Sequence, residues 1–457
     1  MENELFRLSA SEASERIKNG DFTAVELTRS CLNQIERHEA NVRAWAYLNA
    51  ELALDQARAI DKKLAAQERT GPLAGVPVGI KDIFNTKEMP TQMGSPIWRN
   101  FTPGNDARVV HYLKMADAVL IGKTVTAEFA VHAPGPTLNP HNPEYMPGTS
   151  SSGSAAAVAA YMIPLALGTQ TAGSTIRPAS YCGVYGFKPS FGVLPRTGML
   201  KTTDSLDTIG LFARTIEDVE TLFDTVRVSG ADYPFIHALL DDPERRKKPN
   251  PPWRVGIVKG PKWHDAEPYA QQALFDFAKE LSEFKEVEVE EVVLPTEFER
   301  AHEIHATIYD RTLAYYFKEE FKQKTLVSDV IYEIINHGNE ITLDQYRAAL
   351  EEQDRLAEMT DSLFAESYDV ILNLSTSGTA LKGLDSVDRP DNCLIWTLCG
   401  IPALNLPVFV GPNRLPFGLQ AITRRYDDYL LLNFARWLRQ NGLAQDGANP
   451  PPPQLNF

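Results

Sequence analysis

Two serine clusters stand close together in the stretch GTSSSGSAAAVAAYMIPLALGTQTAGSTIRPAS, Gly148 to Ser180, and a lysine, Lys81, ends the apolar run GVPVGIK. A serine hydroxyl is a weak nucleophile until a neighbouring base accepts its proton, so the first question is which base the chain supplies. Histidine is the usual one. The G-x-S-x-G elbow that accompanies many Ser–His pairs is missing, although sequence alone leaves a distant partner such as His132 or His141 open. Lys81 is the other candidate: at the end of an apolar, glycine-bounded strand, desolvation lowers a lysine pKa from its ordinary value of about 10.4. Each feature also has a plainer reading. Ser150 to Ser154 could cap the alanine-rich segment that follows, and Lys81 could pair with Asp82 or extend to solvent. The second cluster, GTQTAGST, follows a strand-like run and is the kind of turn whose consecutive amides converge on one oxygen.

The elements that must position these groups alternate. Residues 1–70 carry helical periodicity, and the pattern changes at GPLAGVPVGIKDIF to short apolar runs punctuated by glycine and proline. Strands are predicted at Ala118–Ile121, Met162–Leu167, Trp253–Val258, Val287–Leu294 and Val370–Leu374, and helices at Tyr269–Glu286 and Thr342–Phe364. This alternation argues for an α/β protein. The loop DDPERRKKPNPPW reads as a boundary, and NPPPP at Asn449–Pro453 as a polyproline tail outside the core. The expected division is an N-terminal helical segment 1–70, a main domain 71–447 and a Pro-rich tail 448–457.

Composition narrows the function classes. A chain of 457 residues with 43% hydrophobic residues can bury a large core. Its net charge of −15 argues against a nucleic-acid or anionic-membrane surface, the one short basic run being Arg245–Lys248. Four dispersed cysteines, an acidic start and the lack of an apolar run long enough to span a bilayer lead us to expect a cytoplasmic protein. The histidines of AHEIH, His302 and His305, do not form H-E-x-x-H and read as helix-surface residues, so no metal is expected. LIGKTV lacks the first glycine of a phosphate loop, and SEFK at Ser282–Lys285 lies in a charged amphipathic segment.

Three blocks in order, GIKDIFNT, GTSSSGSAAAVAA and GTQTAGSTIRPASYCGVYGFKPSFG, resemble the amidase signature family. The resemblance extends through GKTVTAEFA and TLNPHNP to GIPALNLPVFV and LPFGLQAI, about residues 60 to 440. It implies that 71–447 is the catalytic domain, with a variable region about 215–370, a central mixed β-sheet covered by helices on both faces, and a Ser–cis-Ser–Lys triad. Position by position, the triad is Ser174 as nucleophile, Ser150 as bridging serine and Lys81 as base. The amides of Thr171, Ala172, Gly173 and Ser174 would form the oxyanion hole, and a cis peptide is implied between Thr149 and Ser150. The chain departs from the common pattern where Thr149 and Ser152 replace glycines, and where Gln170-Thr171-Ala172-Gly173 replaces Asp-Thr-Gly-Gly. The arginine after the nucleophile stands three residues on, as Arg177, a spacing similar to malonamidase-like members. Arg177 either binds an acidic group of the substrate or pairs structurally with a buried carboxylate.

The resulting expectation is a serine amidohydrolase that cleaves an amide, carbamate or urea C–N bond through an acyl-enzyme, without cofactor. Its expected partners are a small-molecule amide substrate and a second copy in a homodimer, with no nucleic acid and no membrane. The alternative carried beside it is the glutamine-hydrolysing A-type subunit of a tRNA-dependent amidotransferase. A third class, a dead ligand-binding or scaffolding relative, is disfavoured because all three triad residues are present.

Overall fold

In the computed structural model, residues 2–229, 238–242, 252–384 and 389–453 are described. Eleven strands form one sheet: β1 (Trp45–Leu48), β2 (Pro77–Lys81), β3 (Val119–Thr124), β4 (Leu165–Gln170), β5 (Tyr185–Lys188), β6 (Thr208–Ala213), β7 (Trp253–Val258), β8 (Val287–Val292), β9 (Val370–Leu374), β10 (Ala403–Val410) and β11 (Pro416–Ile422). Their order is β1-β3-β2-β4-β6-β5-β10-β11-β9-β7-β8. The sheet is mixed. β2 runs parallel to both β3 and β4, and β7 to both β8 and β9, whereas β4, β6, β5, β10, β11 and β9 pair antiparallel in succession. The expected α/β architecture, a mixed sheet between helices, is the one found.

Alternation along the strands explains the two covered faces. Val78 and Ile80, Leu165 and Leu167, and Leu372 enter one continuous core with the helices Arg108–Met115, Ile216–Val226, Pro268–Leu281 and Asp428–Gln440. Ala166, Phe212, Ile371 and Ala403 face the other side. There two separate cores form, one under the N-terminal helices and α1 (Ser152–Ala159), the other under α3 (Ala301–Tyr316), the helix Leu343–Glu366 and α4 (Cys393–Leu398). Ile80 and Leu167 are fully buried, each worth about 1.5–3 kcal/mol of transfer free energy.

The N-terminal 65 residues are mainly helical, with Ser9 capping Ala10–Asn19 and a Thr23–Glu26 capping box opening Ala24–Val42. They also contribute β1, which pairs antiparallel with β3 at the sheet edge. Periodicity concealed this strand because it is only four residues long. The expected boundary loop lies largely outside the described residues. The tail is bound more closely than its prolines suggest: the Asn449 amide N–H donates to the Gly183 carbonyl (2.9 Å), its side chain donates to the Pro407 carbonyl (2.6 Å), and Pro452 is buried.

α1 approaches the sheet unusually closely, and its small residues are the reason. A Cβ on Gly153 would stand 2.4 Å from the Val125 nitrogen and 2.5 Å from the Ala44 carbonyl oxygen. Gly148, at φ +90°, turns the chain into the serine cluster where a Cβ would meet Pro178 at 2.7 Å. The glycines of the first cluster therefore let α1 pack against Ala44 and Val125, and the chain entering it against Pro178 beyond the second cluster.

Candidate active site

Lys81 ends β2 and is fully buried. Its Nζ lies 2.6 Å from Ser150 Oγ, 2.9 Å from Ser151 Oγ and 2.8 Å from Thr169 Oγ1. Among the described residues no carboxylate pairs with it: Asp82, the partner that sequence alone allowed, instead pairs with the buried Lys123 of β3 at 3.0 Å. Burial holds the Lys81 pKa well below the usual lysine value, and the charge of Asp207 offsets this in part. A neutral amine has two hydrogens and one lone pair. Ser151 gives its hydrogen to the Thr169 carbonyl (3.1 Å), so it can only accept from Lys81. Three hydroxyls surround the two hydrogens of a neutral amine, so one of the other two, Ser150 or Thr169, faces its lone pair.

The first serine cluster is not a cap. Ser151 occupies the N-cap position of α1 but makes no side-chain capping bond, and the Ser154 hydroxyl donates to the Leu167 carbonyl (2.8 Å). Ser150 Oγ, almost fully buried, lies 2.9 Å from the Ala130 carbonyl, which accepts its single hydrogen whenever that hydrogen is not directed at Lys81. Ala130 and the preceding Phe129 both have positive φ, +60° and +49°, the sort of backbone strain that clusters at functional sites. The peptide bond before Ser150 corrects the expectation of a cis-serine: the one cis bond among the described residues is Asn449–Pro450. With a trans bond after the β-branched Thr149 the Ser150 hydroxyl already reaches Lys81, so the cost of a non-prolyl cis bond, about 2.5–4 kcal/mol, is not incurred.

The second cluster is the turn between β4 and α2 (Ile176–Cys182). Ser174 is half-buried, and its hydroxyl makes no hydrogen bond among the described residues; in particular none joins it to Ser150. The amides of Thr171, Ala172, Gly173 and Ser174 likewise have no acceptor among the described residues. Four consecutive free donors ahead of a hydroxyl form a site ready for an oxyanion. Gln170, where the common pattern has an acid, fills the structural position itself. Its Oε1 accepts from the Thr175 and Ile176 amides (2.8 and 3.0 Å), and its Nε2 donates to Thr397 Oγ1 (2.9 Å).

Arg177 lies in the first turn of α2, 9% exposed, and its Nε donates to Asp391 Oδ2 at 2.7 Å. A Cβ on Gly173 would stand 2.9 Å from Arg177 Nη2, so the guanidinium rests against the turn beside Ser174. The carboxylate foreseen as the structural alternative is thus present, and the guanidinium of the pair lies against the turn that carries Ser174. Neither candidate histidine is bonded to Ser174. His141 is buried with Nε2 against the Cys182 carbonyl (2.8 Å), and burial lowers its pKa to about 4; His132 is exposed with its ring edge against Tyr309.

Sequence reasoning missed three contributors. Asp207 binds the Thr171, Thr202 and Thr203 hydroxyls and the Thr202 and Thr203 amides, anchoring the turn from below. Thr397 and His305 reach the turn from α4 and α3, His305 being 5% exposed and not a surface residue. The i, i+3 spacing of His302 and His305 was a usable signal, since both could point to the same side of a helix. Among the described residues no group of three or more His, Cys, Asp or Glu side chains is gathered as a metal site, and no helix is long and apolar enough to cross a membrane.

Comparison with known proteins places this geometry. The amidase family model matches residues 26–432. The A-type subunit of the glutamyl-tRNA(Gln) amidotransferase from Lachnospira eligens is 33% identical over 92% of this chain and 95% of its own. Peptide amidase from Stenotrophomonas maltophilia superposes with a TM-score of 0.83 at 26% identity, over 96% of this chain and 98% of its own. A chain of the vestigial protein complex linked to the origins of an s-triazine catabolic enzyme gives a TM-score of 0.86 at 26% identity, over 96% and 99%. The expectation of a small-molecule amide substrate without nucleic acid is corrected by the first of these, whose name joins a tRNA and companion subunits to this sequence pattern. Net charge misled because it reports on a surface that binds a polyanion directly, not on what an assembly containing the chain acts upon. With the family model matching nearly its whole length and a peptide amidase among its structural likenesses, this chain is an enzyme acting on C–N bonds and belongs to the amidase signature family.

Proposed function

We propose that this chain is the amide-hydrolysing A-type subunit of a tRNA-dependent amidotransferase, with Ser174 forming an acyl-enzyme from the side-chain carboxamide of glutamine. One observation carries the chemistry: a buried lysine amine 2.6 Å from Ser150 Oγ, behind a turn of free amides that ends in Ser174. Neutral Lys81 takes the Ser150 proton as Ser150 takes that of Ser174, and Ser174 Oγ bonds to the carboxamide carbon. The carbonyl oxygen becomes an oxyanion held by the amides of Thr171 to Ser174. The proton returns through Ser150 to nitrogen, the C–N bond breaks and ammonia leaves. Water then adds to the ester, gives its proton to the same relay and releases the acid. The Ser150–Ser174 contact forms when substrate fills the turn, since catalytic hydrogen bonds tighten on binding. The Arg177–Asp391 pair supplies one group of each sign beside the nucleophile, matching the carboxylate and ammonium of an amino acid. That match and the relatives from glutamyl-tRNA(Gln) amidotransferases support glutamine as donor.

The test is amide transfer from amide-15N glutamine to glutamyl-tRNA(Gln) by the complex isolated with this chain from its native cells. Label in the aminoacyl-tRNA that vanishes with Ser174→Ala supports the proposal. A second reading, an amidase that needs no companion subunits, is favoured by the likeness to peptide amidase and by Gln170 in place of the usual acid. Full turnover of short amides by the purified chain, with no transfer to tRNA, would select it.

A further inference from the structure

An oxyanion site needs amides that point the right way, and a peptide plane is oriented by whatever holds its carbonyl. In a trans peptide the C=O and the following N–H point in opposite directions. Each carbonyl of the turn is held. The Thr171 carbonyl accepts from His305 Nε2 at 2.9 Å, the Ala172 carbonyl from Thr397 Oγ1 at 2.7 Å, and the Gly173 carbonyl from the Arg177 amide at 2.9 Å. The amides thereby turned away are those of Ala172, Gly173 and Ser174, which have no acceptor among the described residues.

The hydrogen assignments at the two side chains follow from their partners and distances. Gln170 Oε1 accepts from two backbone amides, so its Nε2 faces Thr397 and donates. Thr397 must accept there, and its own hydrogen goes to the Ala172 carbonyl at 2.7 Å in preference to the Cys393 carbonyl at 3.4 Å. His305 faces a carbonyl, which only accepts, so Nε2 carries the hydrogen; its ring is held by stacking on Tyr309, centroids 5.5 Å apart at 24°. From this geometry we infer that His305 of α3, with Thr397 of α4, is a positioning residue that sets the oxyanion amides by holding the carbonyls of Thr171 and Ala172. The first clamp therefore comes from the variable region and not from the motif blocks. The inference rests on Ser174 acyl transfer as proposed above, and does not depend on which amide is the substrate.

The experiment measures labelling of the full chain by an alkyl fluorophosphonate, resolved into the reversible constant KI and the rate kinact. Phosphonylation develops negative charge on the phosphoryl oxygen, so kinact reads the oxyanion amides. His305→Phe and Thr397→Val are each expected to lower kinact about 10²-fold, the usual effect of losing one oxyanion donor, with KI within about threefold of wild type. His305→Gln, which can place an N–H at the Nε2 position, is expected to recover most of the rate, and the shorter His305→Asn is not. Should His305→Phe fail to fold, the Gln and Asn variants still decide: equal kinact values for those two would overturn the inference, as would a wild-type kinact in His305→Phe. Ser174→Ala separates the two levels of argument. If it still labels, the acyl-transfer reading fails; if it does not label while His305→Phe labels at the wild-type rate, only the clamp is wrong.

Discussion

Replacing Lys81 with methionine should abolish turnover and, at neutral pH, change stability in a way that reports the protonation state of the lysine. Lys81 is fully buried, its pKa held well below the usual value by desolvation. Between that lowered pKa and 10.5 the unfolded chain binds a proton at this side chain that the folded chain does not. The wild type therefore gains stability as pH rises through this window, by about 1.4 kcal/mol per pH unit, and the gain ends above the unfolded value. Methionine has no such slope. The stability of Lys81→Met relative to wild type should thus fall by about 1.4 kcal/mol per unit across the window. Loss of the Thr169 hydroxyl's partner adds a constant cost of about 1–3 kcal/mol, which moves the whole curve without changing its slope. Lys188, lowered to about 7 by burial, contributes a slope of its own, but it is present in both proteins and cancels in the difference. The assay is urea unfolding of both proteins at intervals from about pH 7 to 10, with labelling rates over the same range. A stability difference that stays flat would mean that Lys81 keeps an ordinary pKa, and the neutral-base mechanism would fall with it.

The other predictions address separate parts of the molecule. Ser174→Ala should lose both turnover and covalent labelling with the fold intact, read by mass spectrometry and circular dichroism; retained turnover on glutamine would refute the nucleophile. Lys123→Met leaves Asp82 buried and unpaired and should cost about 3–5 kcal/mol, whereas Lys123→Met with Asp82→Leu should recover part of it; equal losses by urea unfolding would contradict the pairing. Arg177→Lys keeps the charge and loses the planar fork, so KM for glutamine should rise much more than KM for a neutral short amide, and equal rises would confine Arg177 to the scaffold. Prolonged dialysis against a chelator should leave activity unchanged; loss restored by zinc would overturn the serine mechanism.

What could be read along the chain was whatever depends on local residue type and order. The strand ending at Lys81, the small residues that let α1 approach the sheet, and the α/β alternation all write themselves in a few consecutive positions. The resemblance in three motif blocks then joined Lys81, Ser150 and Ser174, which lie up to 93 residues apart in sequence. The rest was decided by contacts between distant segments. Whether Lys81 pairs with Asp82 depended on Lys123 arriving from β3 to take the carboxylate. The support lost with the expected acid was recovered because Gln170 reaches Thr397, 227 residues away. His305 read as a surface residue because helical periodicity cannot say which neighbour covers a face; the turn after β4 covers it, 134 residues upstream. The partners of Ser150 are likewise a tertiary outcome, since Lys81 and the Ala130 carbonyl reach it from 69 and 20 residues away. A motif states which groups take part, but orienting an amide or emptying a lysine's surroundings of water requires atoms from several segments at once, and only the folded chain brings them within hydrogen-bond range.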